Sequence, residues 1–388
     1  MSTFECYDYI VIGAGIQGSF TSYQLVKRKR KTLLLEQFTL PHTRGSSHGQ
    51  TRIIRKAYEE DFYTQMMGES YELWAEMERE AGVKLYRRTG LLVMGPENSR
   101  RYRDFKSTLE KNKISMVVLT SDNFNQHIPN VILADGDGAL VDTTAGVLYA
   151  DRALKVAQEQ FQKLGGVIKD QEKVTDIKPG LTVTVSTSEG VYQAKGLVIT
   201  AGPWTSKLLA NIDLHLPLEV VRINVCYWKE KIPESYHVKK RFPCFILTEG
   251  EEAKEDIYGL PSNEYPDLMK ICYHDGSETD PDQRDKKTEG ADIDILRCYI
   301  ARSFPGLIPE PAVIESCLYT KTPDRHFVLD RHPAYGNIVI GAGFSGHGFK
   351  FGPVIGKLLC ELILGEVPSY DLAPFQISRF QTNIKSSL

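Results

Sequence analysis

The hydrophobic positions change period along the chain. Residues 7–13 (YDYIVIG) are an apolar, β-branched run that reads as a buried strand, and it passes straight into Gly13-Ala14-Gly15-Ile16-Gln17-Gly18. Apolar residues then recur at helical spacing (Phe20, Tyr23, Leu25), which predicts a helix over 16–29 before a second strand at 32–36. Strand, helix and strand in about 30 residues form a βαβ unit, half of a Rossmann-type sheet. Residues 61–82 predict a long amphipathic helix, with Met66, Tyr71, Leu73, Trp74 and Met77 set among acids. From 88 to 141 the pattern shortens to strands (90–94, 116–119) and polar helices, and 151–164 predicts another amphipathic helix. A meander follows at 173–177, 181–187 and 191–194, and then a separate buried strand whose run, 195–202, ends in a glycine turn. Residues 216–260 are strand-rich. Two hydrophilic stretches, 248–256 and 275–294, read as solvated loops or a helix start whose charges carry no function. The C-terminal part returns to strand (337–341), glycine-rich turn and helix (to 364).

At 388 residues, the chain is too long for one ordinary core at about 150 residues per domain. Nucleotide-type patterns stand at the beginning, middle and end, with antiparallel-looking material between. That interleaving predicts a sheet domain with insertions, of mixed α/β (α+β) class, over two domains in tandem. The balance of 47 basic against 50 acidic residues, net −3, offers no excess charge to a phosphate backbone, so no nucleic-acid partner is expected. Seven scattered cysteines show neither a disulfide framework nor the paired spacing of a zinc site, which points to a reducing compartment and no metal. No apolar run reaches the roughly 18 residues of a membrane span, and no signal-peptide pattern opens the chain. The closing Ser386-Ser387-Leu388 is similar to the peroxisomal address S-K-L but departs from it at the middle residue, and alone it also reads as a frayed tail.

The chemistry begins with Gly13-x-Gly15-x-x-Gly18. The first glycine permits the tight turn, the second lets backbone approach a pyrophosphate, and the third allows close packing of helix on strand. Glu36, 18 residues past Gly18 at the end of the second strand, suits ribose hydroxyls and would repel a 2′-phosphate. The run VITAGPW, with Gly202, supplies a second glycine-ended strand. The run GAGFSGHGFK, with Gly343 and Gly346, is a strand-to-helix turn able to aim backbone N–H groups at an anion. On residue type alone, the latter is also explained as a tight packing turn.

Together the runs VIGAGIQGS, PHTRGSSHGQTRIIRKAY, VITAGPWTSKLL, ESCLYTKTPDRHFVLDRHP and IVIGAGFSGHGFKF resemble, from end to end, the monomeric sarcosine oxidase and peroxisomal sarcosine–L-pipecolate oxidase family of flavoproteins. The resemblance implies a discontinuous Rossmann-type FAD-binding domain (1–84, 146–215 and 318–388) and a substrate domain with an antiparallel sheet (85–145 and 216–317). It implies oxidation of a secondary amino acid such as sarcosine, L-pipecolate or L-proline, reoxidation by O2 with release of H2O2, a monomer, and residence in the peroxisome (alternatively the cytoplasm) through an import receptor reading the tail. The alternatives are an FAD-dependent dehydrogenase with a protein or quinone acceptor, and a non-catalytic dinucleotide-binding module.

Residue by residue, the resemblance makes Cys317 the covalent attachment point, an 8α-S-cysteinyl link to FAD, where composition alone gives an inert buried thiol. It puts Arg55 and Lys350 on the substrate carboxylate and Arg52 against the flavin ring. On sequence alone both arginines read as surface charges, and three apart they share a face only if the segment is helical. Lys270 would assist oxygen reduction, although it also reads as an edge-strand charge. His274, Tyr258, Tyr319 and His347 would shape the substrate cavity, or simply pack. Thr51 and Val174 join Gly13, Gly15, Gly18, Glu36, Gly202, Gly343, Gly346 and Lys350 as cofactor contacts.

Overall fold

A computed structural model describes residues 5–250, 253–286 and 290–383. The opening βαβ unit forms as the pattern predicts: strand Glu5–Ile12, helix Ile16–Lys27 and strand Thr32–Leu35, the two strands parallel. Around them lies a sheet whose parallel core runs Val167–Lys169, Thr32–Leu35, Glu5–Ile12, Val191–Ile199 and Ile338–Ala342. Both faces are covered, so the strands read as continuous apolar runs with no alternation. On one face Val11, Leu34, Val198 and Val339 pack in a core with helices Ile16–Lys27, Asp61–Ala81, Ala150–Lys163 and Gly352–Leu364. On the other, Ile10, Ile12, Leu33, Leu35 and Ile199 pack on the antiparallel strands Val174–Lys178 and Val183–Thr187.

One correction concerns that meander. The segments expected as two strands, 191–194 and the run 195–202, are one strand, Val191–Ile199, which stops short of the glycine turn. Its first half pairs antiparallel with Val183–Thr187 and its second half parallel with Ile338–Ala342, while Glu5–Ile12 runs along its other edge throughout. A change of partner on one edge does not break a strand whose opposite edge stays paired.

A second sheet of nine strands holds residues 91–96, 116–119 and 137–142 and six strands between 219 and 321. It is antiparallel except at one joint, where Cys244–Leu247 runs parallel to Leu91–Pro96. The long strands Glu219–Glu230 and Leu307–Lys321 pair antiparallel, and the latter runs unbroken through residues 317 and 318. A small third sheet joins Thr51–Ile54, Gly146–Tyr149 and Tyr86–Arg88. Among the described residues no helix is long and apolar enough to cross a membrane. The tail Ser386-Ser387-Leu388 lies outside the described residues.

Candidate active site

A cavity of about 1210 Å³ opens along the parallel sheet's C-terminal edge, above the roughly 300–1,000 Å³ usual for ligand pockets. Gly13, Gly15, Glu36, Val174 and Gly202 line it, with Gln17 and the turn 344–349. Gly13 sits at φ +98°, and Gly18 comes so close to the Gly13 carbonyl that any Cβ there would strike it. Gly18 is therefore the packing glycine beneath the cavity and not part of its wall. Helix Ile16–Lys27 has no acidic residue in its first turn, and its N-cap Gly15 offers no side chain, although Ser47 Oγ accepts from the Ile16 N–H (3.1 Å); such an end favours an anion. Glu36 accepts hydrogen bonds from the Ala14 N–H (2.9 Å) and the Phe38 N–H (3.1 Å), which fixes the carboxylate while leaving lone pairs for a ligand. The Gln17 side-chain oxygen is buried without a partner.

A second, smaller cavity of about 100 Å³ adjoins the first, sharing His48, Gly49, Arg52, Tyr319, Gly346 and Phe349. Arg52, Arg55, Thr51, Tyr258, Lys270, His274, Cys317, Tyr319, His347 and Lys350 all line it. The structure thus gathers residues separated by up to 299 positions in one place. Gly343, like Gly18, lines neither cavity, and at φ +62° beside Thr322 it serves the turn. Gly346, at φ +81°, lets the Tyr319 and His274 rings close on the turn where a Cβ would lie 2.5 and 2.7 Å from them.

The arginines reach this cavity by a route the spacing did not suggest. Thr51–Ile54 is a strand, not a helix, and Arg55 follows just past its end, where the chain leaves the sheet. Arg52 donates to the carbonyls of Thr51 (2.8 Å), Ser46 (2.9 Å) and His48 (2.6 Å), and Arg55 donates to the Ala57 carbonyl and lies over the Tyr58 ring at 4.0 Å. Lys350, only 6% exposed, donates to Tyr58 Oη (3.0 Å) and the His347 carbonyl (2.9 Å). Burial, with Arg55 and Arg52 nearby, pushes the Lys350 ammonium well below its ordinary pKa. Among the described residues none of these three cations forms an ion pair with a carboxylate; of the carboxylates that line the cavity, Asp256 is paired with Arg101 and Glu315 accepts from Tyr265 Oη.

Lys270 is different, and its edge-strand reading is wrong. Leu268–Tyr273 lies inside the sheet, between Glu219–Glu230 and Ile257–Tyr265, and Lys270 is buried and paired with Glu264 at 2.9 Å. Cys317, buried opposite Ile223, lies within the fields of Arg52 and Arg284. His274 and His347 are neutral at pH 7: burial pushes His274 down to about 4 and His347 well below its usual value, and neighbouring cations add to both shifts. Tyr258 Oη and Tyr319 Oη share a hydrogen bond of 3.2 Å. The closing turn is tied to the strand of Cys317, since the Ser345 N–H donates to the Thr320 carbonyl at 2.9 Å.

Sequence reasoning missed several groups. Within the stretch read as solvated, Arg284 is buried and donates to the Ser316 carbonyl (2.7 Å) and to the carbonyls of Thr43 and Arg44. Asp256, from the other stretch, lines the small cavity. His48, which burial pushes down to about 4, contacts the Gly45 and Ser316 carbonyls at 2.8 and 3.0 Å. A lone charged residue in a polar run gives no sequence signal of tertiary burial. Among the described residues no group of three His, Cys, Asp or Glu could hold a metal ion.

The sequence profile of the FAD dependent oxidoreductases matches residues 8–362. The chain belongs to the FAD-dependent oxidoreductase family. Among its relatives in that family, the peroxisomal sarcosine oxidase of Homo sapiens is 53% identical over 387 residues, covering 99% of both chains. The monomeric sarcosine oxidase of Bacillus sp. is 35% identical over 380 residues, covering 96% of each. The solved structure of L-proline dehydrogenase from P. horikoshii shares the fold, with a TM-score of 0.83, 21% identity, and 98% and 99% coverage. In this FAD-dependent oxidoreductase the large cavity fits the cofactor on its own features: the glycine turn, the helix end free of acidic residues, the fixed Glu36 and the unpartnered Gln17 oxygen. The small cavity adjoins the large one at Arg52 and Tyr319, and Cys317 lines the small cavity.

Proposed function

We propose that this chain is an oxidase of small secondary amino acids, sarcosine or L-pipecolate foremost and L-proline after them, with O2 as acceptor and H2O2 as product. The observation that carries this reading is the convergence of three cations, Arg52, Arg55 and Lys350, none of them ion-paired among the described residues, on a cavity of about 100 Å³ beside the cofactor site. Arg55 and Lys350 hold the substrate carboxylate by charge-assisted hydrogen bonds, and Arg52 holds the cofactor ring. The same positive field lowers the pKa of the substrate ammonium, which favours the neutral amine able to release a hydride. His274 and His347, both neutral, add no repulsion and shape the pocket with Tyr258 and Tyr319. FAD supplies the hydride-accepting ring. Lys270 assists reduction of O2, and Cys317, with the Arg52 and Arg284 guanidiniums nearby, is the residue that would hold FAD through an 8α thioether.

In this reading 1–84, 146–215 and 318–388 make the FAD-binding domain, and 85–145 with 216–317 the substrate domain. Close likeness to human and mouse relatives named peroxisomal supports the peroxisome over the cytoplasm, with the Ser386-Ser387-Leu388 tail as the address. The name of the bacterial relatives supports a monomer. The test is direct: purified protein stays yellow after acid precipitation and releases H2O2 with sarcosine or L-pipecolate. Substrate that bleaches the flavin without air, followed by no peroxide in air, would favour the dehydrogenase reading instead.

A further inference from the structure

Lys270 has a partner that the family resemblance does not bring with it. Its ammonium lies 2.9 Å from Glu264 Oε1 and 3.4 Å from Thr51 Oγ1, and the two charged side chains are 8% and 5% exposed. Glu264 is itself held by two hydroxyl donors, Thr51 Oγ1 and Tyr227 Oη. Tyr227 Oη also lies 3.3 Å from Glu315, which accepts from Tyr265 Oη at 2.5 Å. The single Tyr227 hydroxyl proton thus stands between two carboxylates, Glu264 against Lys270 and the half-buried Glu315.

We propose that Glu264 is a positioning residue for Lys270: its carboxylate, anchored by the Tyr227 and Thr51 hydroxyls, fixes the ammonium in place and balances its charge. This rests on the proposed part of Lys270 in oxygen reduction. Conversion of O2 to H2O2 takes two electrons and one proton from the reduced cofactor and a second proton from solvent. Two O–H bonds form and the O–O bond falls from double to single. An ammonium beside O2 stabilises the negative charge that develops with the first electron, provided the lysine is charged. Burial alone drives a lysine toward the neutral amine, and an adjacent carboxylate opposes this. For Glu264 itself, burial pushes upward, but Lys270 and the donors Thr51 and Tyr227 prevail and hold the carboxyl below its ordinary range. The other groups facing the pair are Cys244 and Cys272, pushed by burial up to about 12 and about 11, Tyr258, pushed well up, and Arg52, a permanent cation. None of these titrates between about pH 6 and 9.

The experiment is rapid mixing of substrate-reduced holoenzyme with oxygenated buffer across that range. The parent is expected to reoxidise at a rate nearly independent of pH. Glu264→Gln is expected to reoxidise about tenfold or more slowly at pH 8 and to recover as pH falls and the ammonium reforms, with anaerobic flavin reduction moving less than about twofold. Tyr227→Phe keeps the ring and removes one donor to Glu264, and should show a smaller slowing with the same pH dependence. Lys270→Met is the reference. If it slows reoxidation while Glu264→Gln and Tyr227→Phe match the parent at every pH, the inference is overturned. If Lys270→Met itself reoxidises normally, the reading of Lys270 falls and takes this inference with it.

Discussion

Replacing Lys350 with methionine tests the anion site with a side chain of similar length and no charge. The ammonium has three protons, of which two go to Tyr58 Oη and the His347 carbonyl, so one is left for a ligand in the cavity Lys350 lines. A hydrogen bond to a charged group contributes about 1.5–3 kcal/mol, and 1.4 kcal/mol is a factor of ten. Lys350→Met should therefore weaken an unreactive carboxylate ligand about 10- to 150-fold and leave its amide analogue within about twofold. The assay is a titration of the visible flavin spectrum with each ligand. The parent's carboxylate affinity should fall as pH rises through the lowered Lys350 pKa, since only the ammonium pairs with the anion, and the variant should lose that slope. The stability sign runs the other way. A lysine whose folded pKa is depressed below its unfolded value of about 10.5 costs stability as pH falls from there toward the folded pKa. The variant escapes that cost while losing two hydrogen bonds, so its Tm without ligand should stay within about 3 °C of the parent's. Equal losses for carboxylate and amide would refute the assignment of Lys350 to an anion.

The other predictions address the cofactor and the cavity walls. Cys317→Ser should still bind FAD through the large cavity but release it on acid precipitation, read as colour in the supernatant. Lys270→Met should slow reoxidation by O2 by about 10²-fold or more while flavin reduction changes little, measured by rapid mixing of each half-reaction. Gly346→Ala forces an L-residue to φ +81° and a methyl into the Tyr319 and His274 rings, so it should cost more than about 1–2 kcal/mol of stability and lower kcat/KM together, seen by thermal melting and steady-state assay. His274→Gln should leave the apparent pKa values of kcat/KM unmoved, because burial keeps that ring neutral above about pH 4.

Much of the cofactor side was legible because its constraints are local. The Gly13 turn, the packing at Gly18, the helix after it and Glu36 all lie within one βαβ unit, where spacing and chemistry coincide. The small cavity was legible only through resemblance. Arg52 and Arg55 look like surface charges until a strand end turns both toward Lys350, and Lys270 looks like an edge residue until its strand proves internal. Glu264, Arg284 and His48 were not legible, since each is buried by segments distant in sequence, as when Arg284 reaches the carbonyls of Thr43, Arg44 and Ser316. Polar runs report solvent on average, and one buried charge inside such a run leaves no periodicity to read.

The most direct measurement is an anaerobic titration of the purified yellow protein with sarcosine and with L-pipecolate, followed by air. The flavin absorbance should bleach with at least one of them, and colour should return with H2O2 released in step with the flavin reoxidised. A flavin that neither amino acid bleaches, with the protein folded and the cofactor bound, would contradict the account.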